Sequence, residues 1–264
     1  MAFSGRTVAS TFKDLLQIDN SNAGISTSLK VVKDGAGNQA SLYISDDQIK
    51  IKPENDDTTS LLEIQDKDGN QMLVVDSTND DVKVFGNRVN TQYAYFGISS
   101  GSAVPSVADT HYVIPFSTMA LNSGYVNLGA DPNPATTLDL SSVNQADDLV
   151  TCFWYIPDDI TIESVNVWAG SSAATGDSLT FHLMSYIIDT SDDAAGGGGD
   201  LSDGTVIADH TGTVDSDGYE ATIFKSLTIQ SANIDAGRVG IFTIAGDDTN
   251  SDVGLNVTVK YHLR

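Results

Sequence analysis

The stretch Val253-Gly254-Leu255-Asn256-Val257-Thr258-Val259-Lys260-Tyr261-His262-Leu263 sets a large apolar side chain at every odd position and a small or polar residue at every even one. A period of two describes a β-strand with one buried face and one wet face, whereas a helix would need spacings of three and four. Working outward, Leu179, Phe181, Leu183 and Ile187 mark a second long strand, and a turn region over residues 189–204 follows it, with Gly196-Gly197-Gly198-Gly199 inside. Residues 149–156 and 160–168 read as a pair of strands separated by Pro157-Asp158-Asp159. In the second, the apolar phase moves from Ile160 and Ile162 to Val165 and Val167, which predicts a bulge at Glu163-Ser164. Residues 220–229 and 239–244 add two further strands. Strands at this spacing predict a two-sheet, jelly-roll-like β-sandwich over residues 91–264.

Composition agrees. Of the 36 acidic residues only Glu54, Glu63, Glu163 and Glu220 are glutamate, and the rest are aspartate, which favours turns and caps over helix interiors. With 23 glycines and no long Ala-, Leu-, Glu- and Lys-rich segments, the 264 residues read as all-β. The formal charge of −23 argues against a nucleic-acid groove and against an anionic membrane surface, since both need basic residues to meet phosphate. Cys152 is the sole cysteine, so no internal disulfide or multi-cysteine metal site is expected. The segment Met1–Arg6 has no apolar core and no run approaches a membrane span, so neither signal peptide nor membrane insertion is expected.

A composition shift near residue 92 divides the chain. Nine of the 13 basic residues precede it, while both tryptophans follow it. The earlier segment repeats itself. Ser28-Leu29 recurs as Ser60-Leu61, and Gly37-Asn38-Gln39 as Gly69-Asn70-Gln71, at an offset of 32; Ile49-Lys50-Ile51 recurs as Val82-Lys83-Val84 at 33, predicting one inserted turn residue. Apolar residues alternate around the turns Asp66-Lys67-Asp68-Gly69-Asn70 and residues 76–81, a hairpin signature. Such thin units cannot bury their own apolar stripe, and winding three copies about one axis would bury it from every side. Residues 15–90 are therefore expected to form an intertwined trimeric β-repeat stalk, preceded by a segment over residues 1–14 that lacks the pattern.

Chemical motifs are weak. Gly97-Ile98-Ser99-Ser100-Gly101 matches G-x-S-x-G, but the following Ser102-Ala103-Val104-Pro105 is loop where a nucleophile elbow needs a helix. His111, His182, His210 and His262 share no metal spacing; His182 and His262 fall on the polar phase of their strands and read as surface or intersubunit residues. No cofactor is expected. Ca²⁺ is the secondary reading of the Asp-rich turns, with Asp215, Asp217, Asp247, Asp248 and Asp252 as the candidate oxygen ligands, although none completes an EF-hand.

The pattern Leu16-Gln17-Ile18-Asp19-Asn20-Ser21-Asn22, echoed by Leu73–Asn79 and followed by Asp81-Val82-Lys83-Val84, resembles bead-like repeats in tailed-bacteriophage fibres and related virion appendages. The opening Thr11-Phe12-Lys13-Asp14-Leu15-Leu16 is similar to the start of such proteins from marine phages, and Tyr155–Ile162 more loosely to a fibre-tip sandwich. The resemblance implies a non-enzymatic structural homotrimer located on the virion, attached to capsid or tail proteins at its N-terminal end, with an outward C-terminal head for host attachment. On that expectation Phe3, Arg6, Phe12 and Lys13 serve anchoring. Asp189, Asp192, Asp193 and Asn250 sit in the loops expected to meet a host-surface glycan or receptor. The alternatives are a capsid-anchored head fibre or decoration protein, and, from a different class, a free carbohydrate-binding module or hydrolase.

Overall fold

The computed structural model describes residues 14–21, 23–99, 107–117, 126–130, 132–139, 149–171, 178–190, 200–210, 221–247 and 253–264. These residues are all-β: twenty strands and a single short 3-10 turn at Val150–Cys152. The chain divides into two compact units between Val89 and Asn90.

In the first unit, β1 (Gln17–Ile18), β2 (Lys30–Lys33), β3 (Gln39–Ile44) and β4 (Ile49–Ile51) form one antiparallel meander. A second contains β5 (Leu62–Gln65), β6 (Gln71–Asp76), β7 (Asp81–Val84) and β8 (Asn87–Arg88). The sequence repeat is a structural repeat. Between β2 and β3, Asp34 Oδ1 accepts from the N–H groups of Ala36 and Asn38 while Asn38 Nδ2 donates to Asp34 Oδ2. Between β5 and β6, Asp66 does the same with Asp68 and Asn70. Gly37 (φ 95°) and Gly69 (φ 86°) hold matching left-handed positions that a side chain would strain.

The pairs Leu42↔Ile51 and Ile44↔Ile49 of the first meander recur as Leu73↔Val84 and Val75↔Val82 in the second. The offset of 33 has a different origin from the one expected. The β6–β7 turn encloses residues 76–81 where the β3–β4 turn encloses 45–48, and at the bulge β6 passes from Gln71 to Leu73 through Met72 alone where β3 passes from Gln39 to Leu42 through residues 40–41. Two residues gained in the turn and one lost at the bulge keep the same side chains on the same face.

The second unit comprises β9 (Thr91–Ile98), β10 (Thr110–Ile114), β11 (Asn127–Ala130), β12 (Trp154–Ile156), β13 (Ile160–Ser171), β14 (Leu179–Asp189), β15 (Asp200–His210), β16 (Ala221–Ser226), β17 (Thr228–Ile229), β18 (Asn233–Ile234), β19 (Arg238–Gly246) and β20 (Val253–Leu263). One sheet runs β11-β10-β19-β14-β15-β17 with β12 also on β19; the other runs β16-β13-β20-β9 with β18 also on β13. Both contribute to one core, in which Val165, Val167, Val257 and Val259 of the second sheet join Phe181, Leu183, Phe242 and Ile244 of the first. Phe96 contacts Phe116, Trp154 and Phe242 there at ring distances of 5.3, 6.4 and 5.9 Å. Such pairs contribute about 0.5–1.5 kcal/mol each beyond area burial.

The expected bulge is present, since the β13–β20 register shifts between Ile162 and Ser164. Three expectations need correction. Residues 149–156 and 160–168 do not pair: residues 150–152 make the 3-10 turn, β12 pairs with β19, and Pro157-Asp158-Asp159 carries the chain to the other sheet. That corner is pinned by the Asp159 carboxylate accepting from Ala236 N–H (2.8 Å) and its carbonyl from Arg264 N–H (2.9 Å). The turn region over 189–204 ends earlier, because β15 begins at Asp200. Finally, Ile187 is 45% exposed while Met184 and Tyr186 are buried. The first sheet is covered on both faces, so its supposed wet phase lies in a second apolar cluster with Val113, Leu128, Val239 and Ile241.

Candidate functional surfaces

In the first unit the β ladders bring Leu62, Ile64, Leu73, Val75, Val82 and Val84 to one face, and Leu42, Ile44, Ile49 and Ile51 to the matching face of the first meander. These faces are open in the single chain: Ile49 is 74% exposed, Ile64 50% and Val82 41%. Among the described residues of this unit, Val32 and Val74 are the buried apolar side chains. Covering a half-exposed aliphatic side chain is worth about 1 kcal/mol, so two such faces are a large unclaimed contribution.

The opposite face of the second meander is polar and internally settled. Asp76 and Asp81, both nearly inaccessible, lie cross-strand from each other. Asp76 accepts from Thr78 N–H, Asn79 N–H and Asn79 Nδ2, and the Asn79 amide in particular holds its pKa below the usual carboxylate value. Asp81 lies 3.3 Å from Lys83 Nζ and 3.0 Å from Arg88. A cleft of about 340 Å³ beside them is lined by Met72, Val74, Asp76, Lys83 and Phe85. Its cation and its carboxylate already face each other at 3.9 Å, which leaves little charge for a ligand.

The residues singled out from sequence are not gathered into one site. Phe3, Arg6, Phe12, Lys13, Asp192, Asp193, Asp215, Asp217, Asp248, Asn250 and Asp252 lie outside the described residues. Asp189 is exposed at the end of β14, cross-strand from Asp200. Asp247 is exposed and its carboxylate accepts from Ser178 N–H at 2.8 Å, which ties two strand ends together. Among the described residues no group of His, Cys, Asp and Glu side chains could hold a metal ion.

The histidine reading is corrected. His182 and His111 are fully buried, with ring centroids 4.9 Å apart, edge to face. His182 Nε2 is 3.2 Å from Asn133 Oδ1, and the same segment takes a 2.8 Å hydrogen bond from the Tyr186 hydroxyl to Ala135 O. That segment covers the polar-phase face of β14, which is why alternation alone misplaced His182. His262 is also buried, with Nδ1 3.0 Å from Glu163, the bulge residue, whose other oxygen meets Lys260 Nζ at 2.6 Å.

Burial lowers the His111 pKa to about 4. The unfolded ring titrates near 6.5, so this stability is complete above that pH and is lost as pH falls toward 4. Chemical denaturation of the second unit, followed by tryptophan fluorescence, should weaken by up to about 3 kcal/mol from pH 7 to pH 4 through this ring. His111→Gln should flatten that part of the slope. An unchanged slope would place the titration elsewhere.

No protein-family model and no curated protein matches the chain. What the chain offers a partner is its exposed surfaces. One of these escaped the sequence reading: Trp168, 52% exposed, and Phe224, 49% exposed, lie in contact at a ring distance of 4.8 Å. The signal was available, because the phase slip that turns Val165 and Val167 inward also turns Trp168 outward.

Proposed function

We propose that this protein is a structural virion fibre or spike of a tailed phage, a homotrimer with an N-terminal anchor, a β-repeat stalk and a jelly-roll-like head that meets the host surface. The observation that carries the reading is the pair of exposed aliphatic faces in the first unit, built with the same cross-strand pairs in both meanders. A cover for both faces must itself repeat with this period, and another copy of the chain does so. Three copies around an axis close without leaving a free face. The anchor falls to residues 1–14 and engages a capsid or tail protein. No step of bond making or breaking is assigned to the chain.

Electron microscopy of virions labelled with antibody against the head tests the placement. Labels at tail tips or on the capsid support it and say which, whereas unlabelled virions alongside free protein in the lysate would overturn it. Deleting residues 1–12 should leave a trimer of unchanged sedimentation that is missing from particles. Normal incorporation of that variant would move the anchor elsewhere.

A further inference from the structure

The outer face of the β16-β13-β20-β9 sheet differs in kind from the aliphatic stalk faces. Trp168 and Phe224 are direct cross-strand partners, and Trp168 faces Asn256 on its other side. In the next row Asn166 faces Thr258, which faces Tyr95, a tyrosine 46% exposed. Ser226 Oγ donates to Asn166 Oδ1 at 2.7 Å, fixing that amide with its NH₂ group turned away from the serine. Beyond Trp168 the next pair on this face is Gly170↔Gly254, and a Cβ at Gly170 would meet nothing within 4 Å among the described residues. The ring therefore borders an open, flat floor.

These six side chains are uncharged on a chain of net charge −23. The nearest ion pair on the face, Lys260 with Glu163, is closed on itself at 2.6 Å. None of the six is aliphatic, unlike the surfaces assigned above to contact between copies. A ligand matching aromatic faces interleaved with amides and hydroxyls has flat C–H faces and a hydroxyl rim. The negative face of an aromatic ring attracts such C–H groups, while amides and hydroxyls pair with the rim. Trp168 and Tyr95 stand two strands apart, about 10 Å, so the platform is about two sugar rings wide.

We propose that this sheet face binds a neutral saccharide chain, with Trp168 and Phe224 stacking on a sugar ring and Asn166, Asn256, Thr258 and Tyr95 completing the platform. The proposal rests on the attachment role given to the head only for its biological meaning. It also places recognition on side chains of the sheet itself, not on residues 189–204 and 247–252, the segments singled out from sequence.

The full-length protein should be titrated with cellohexaose, maltohexaose, the hexamer of N-acetylglucosamine and, as a charged control, heparin, with tryptophan emission as the readout. At least one neutral hexamer should shift that emission, while heparin should not. Trp168→Ala, which removes the reporting ring and is therefore followed by titration calorimetry, should weaken binding about tenfold or more, as removal of a central aromatic anchor does. Gly170→Glu, placed in open space, should weaken it without unfolding, and Trp154→Phe should retain it because Trp154 is buried in the core. Absence of binding to all three neutral hexamers would overturn the proposal, as would binding unaffected by both face variants. If Trp168→Ala instead lowered the sedimenting mass, the face would be a contact between copies and the proposal would fall. An unchanged trimer mass without saccharide binding would leave the fibre reading standing.

Discussion

Val75→Asp should abolish assembly: wild-type protein should sediment at about three times the 27.9 kDa chain mass and the variant at one. Val75 sits in the middle of the exposed face of the second meander, paired with Leu62 on one side and Val82 on the other. In the proposed trimer a carboxylate there would be buried among aliphatic side chains, at a cost of several kcal/mol per subunit. The head should be indifferent, because both tryptophans belong to it and its core is separate. The variant's tryptophan spectrum should therefore match wild type while the mass falls. A trimer with unchanged melting would show that this face is not where the copies meet.

Gly204→Val should be the most damaging single change in the head. A Cβ at residue 204 would lie 2.5 Å from Tyr186 Cε1 and 2.7 Å from Thr136 Cα, with the Thr136 carbonyl oxygen at 2.9 Å. The Gly204 N–H donates to that same carbonyl, so the two backbones are tied at the point of closest approach. Tyr186 cannot swing away either, since it is fully buried and its hydroxyl holds Ala135 O. The expected loss is about 3 kcal/mol or more, at the upper end of overpacking costs. Gly170→Ala, in open space, should stay within about 0.5 kcal/mol. Equal denaturation midpoints for the two variants would mean that the covering segment gives way easily.

Alternation made the strands legible where one face is buried and one wet, as in β20 and in the first residues of β14. It failed where a sheet is covered on both faces. His182 and Tyr186 belong to the same phase, and nothing local says that Asn133 and Ala135 will arrive from a distant segment to roof it. The bulge at Glu163 could be read because a phase slip is local. The partner of β12 could not, since choosing β19 over β13 depends on which sheet the chain joins after Pro157. In the first unit the repeat was visible, but its open faces were clear only once ladder register showed Leu62, Val75 and Val82 side by side. The aromatic pair on the head was spelled out at Trp168, yet Phe224 is its neighbour only through pairing with a strand far along the chain.

The two units also differ in how far along the chain their partners lie. Both meanders pair each strand with the next, so their ladders can close as soon as each hairpin leaves the ribosome. In the second unit, β9 pairs with β20, joining the first strand of the unit to the last one among the described residues, and β20 lies between β9 and β13. That sheet cannot be finished until β20 has been made. A chain still lacking Val253–Leu263 would carry complete hairpins and, in the second unit, one sheet split between β13 and β9, with two strand edges unpaired. β20 is thus the closing strand of its sheet, and a chain that has not yet received it is exposed to aggregation or proteolysis.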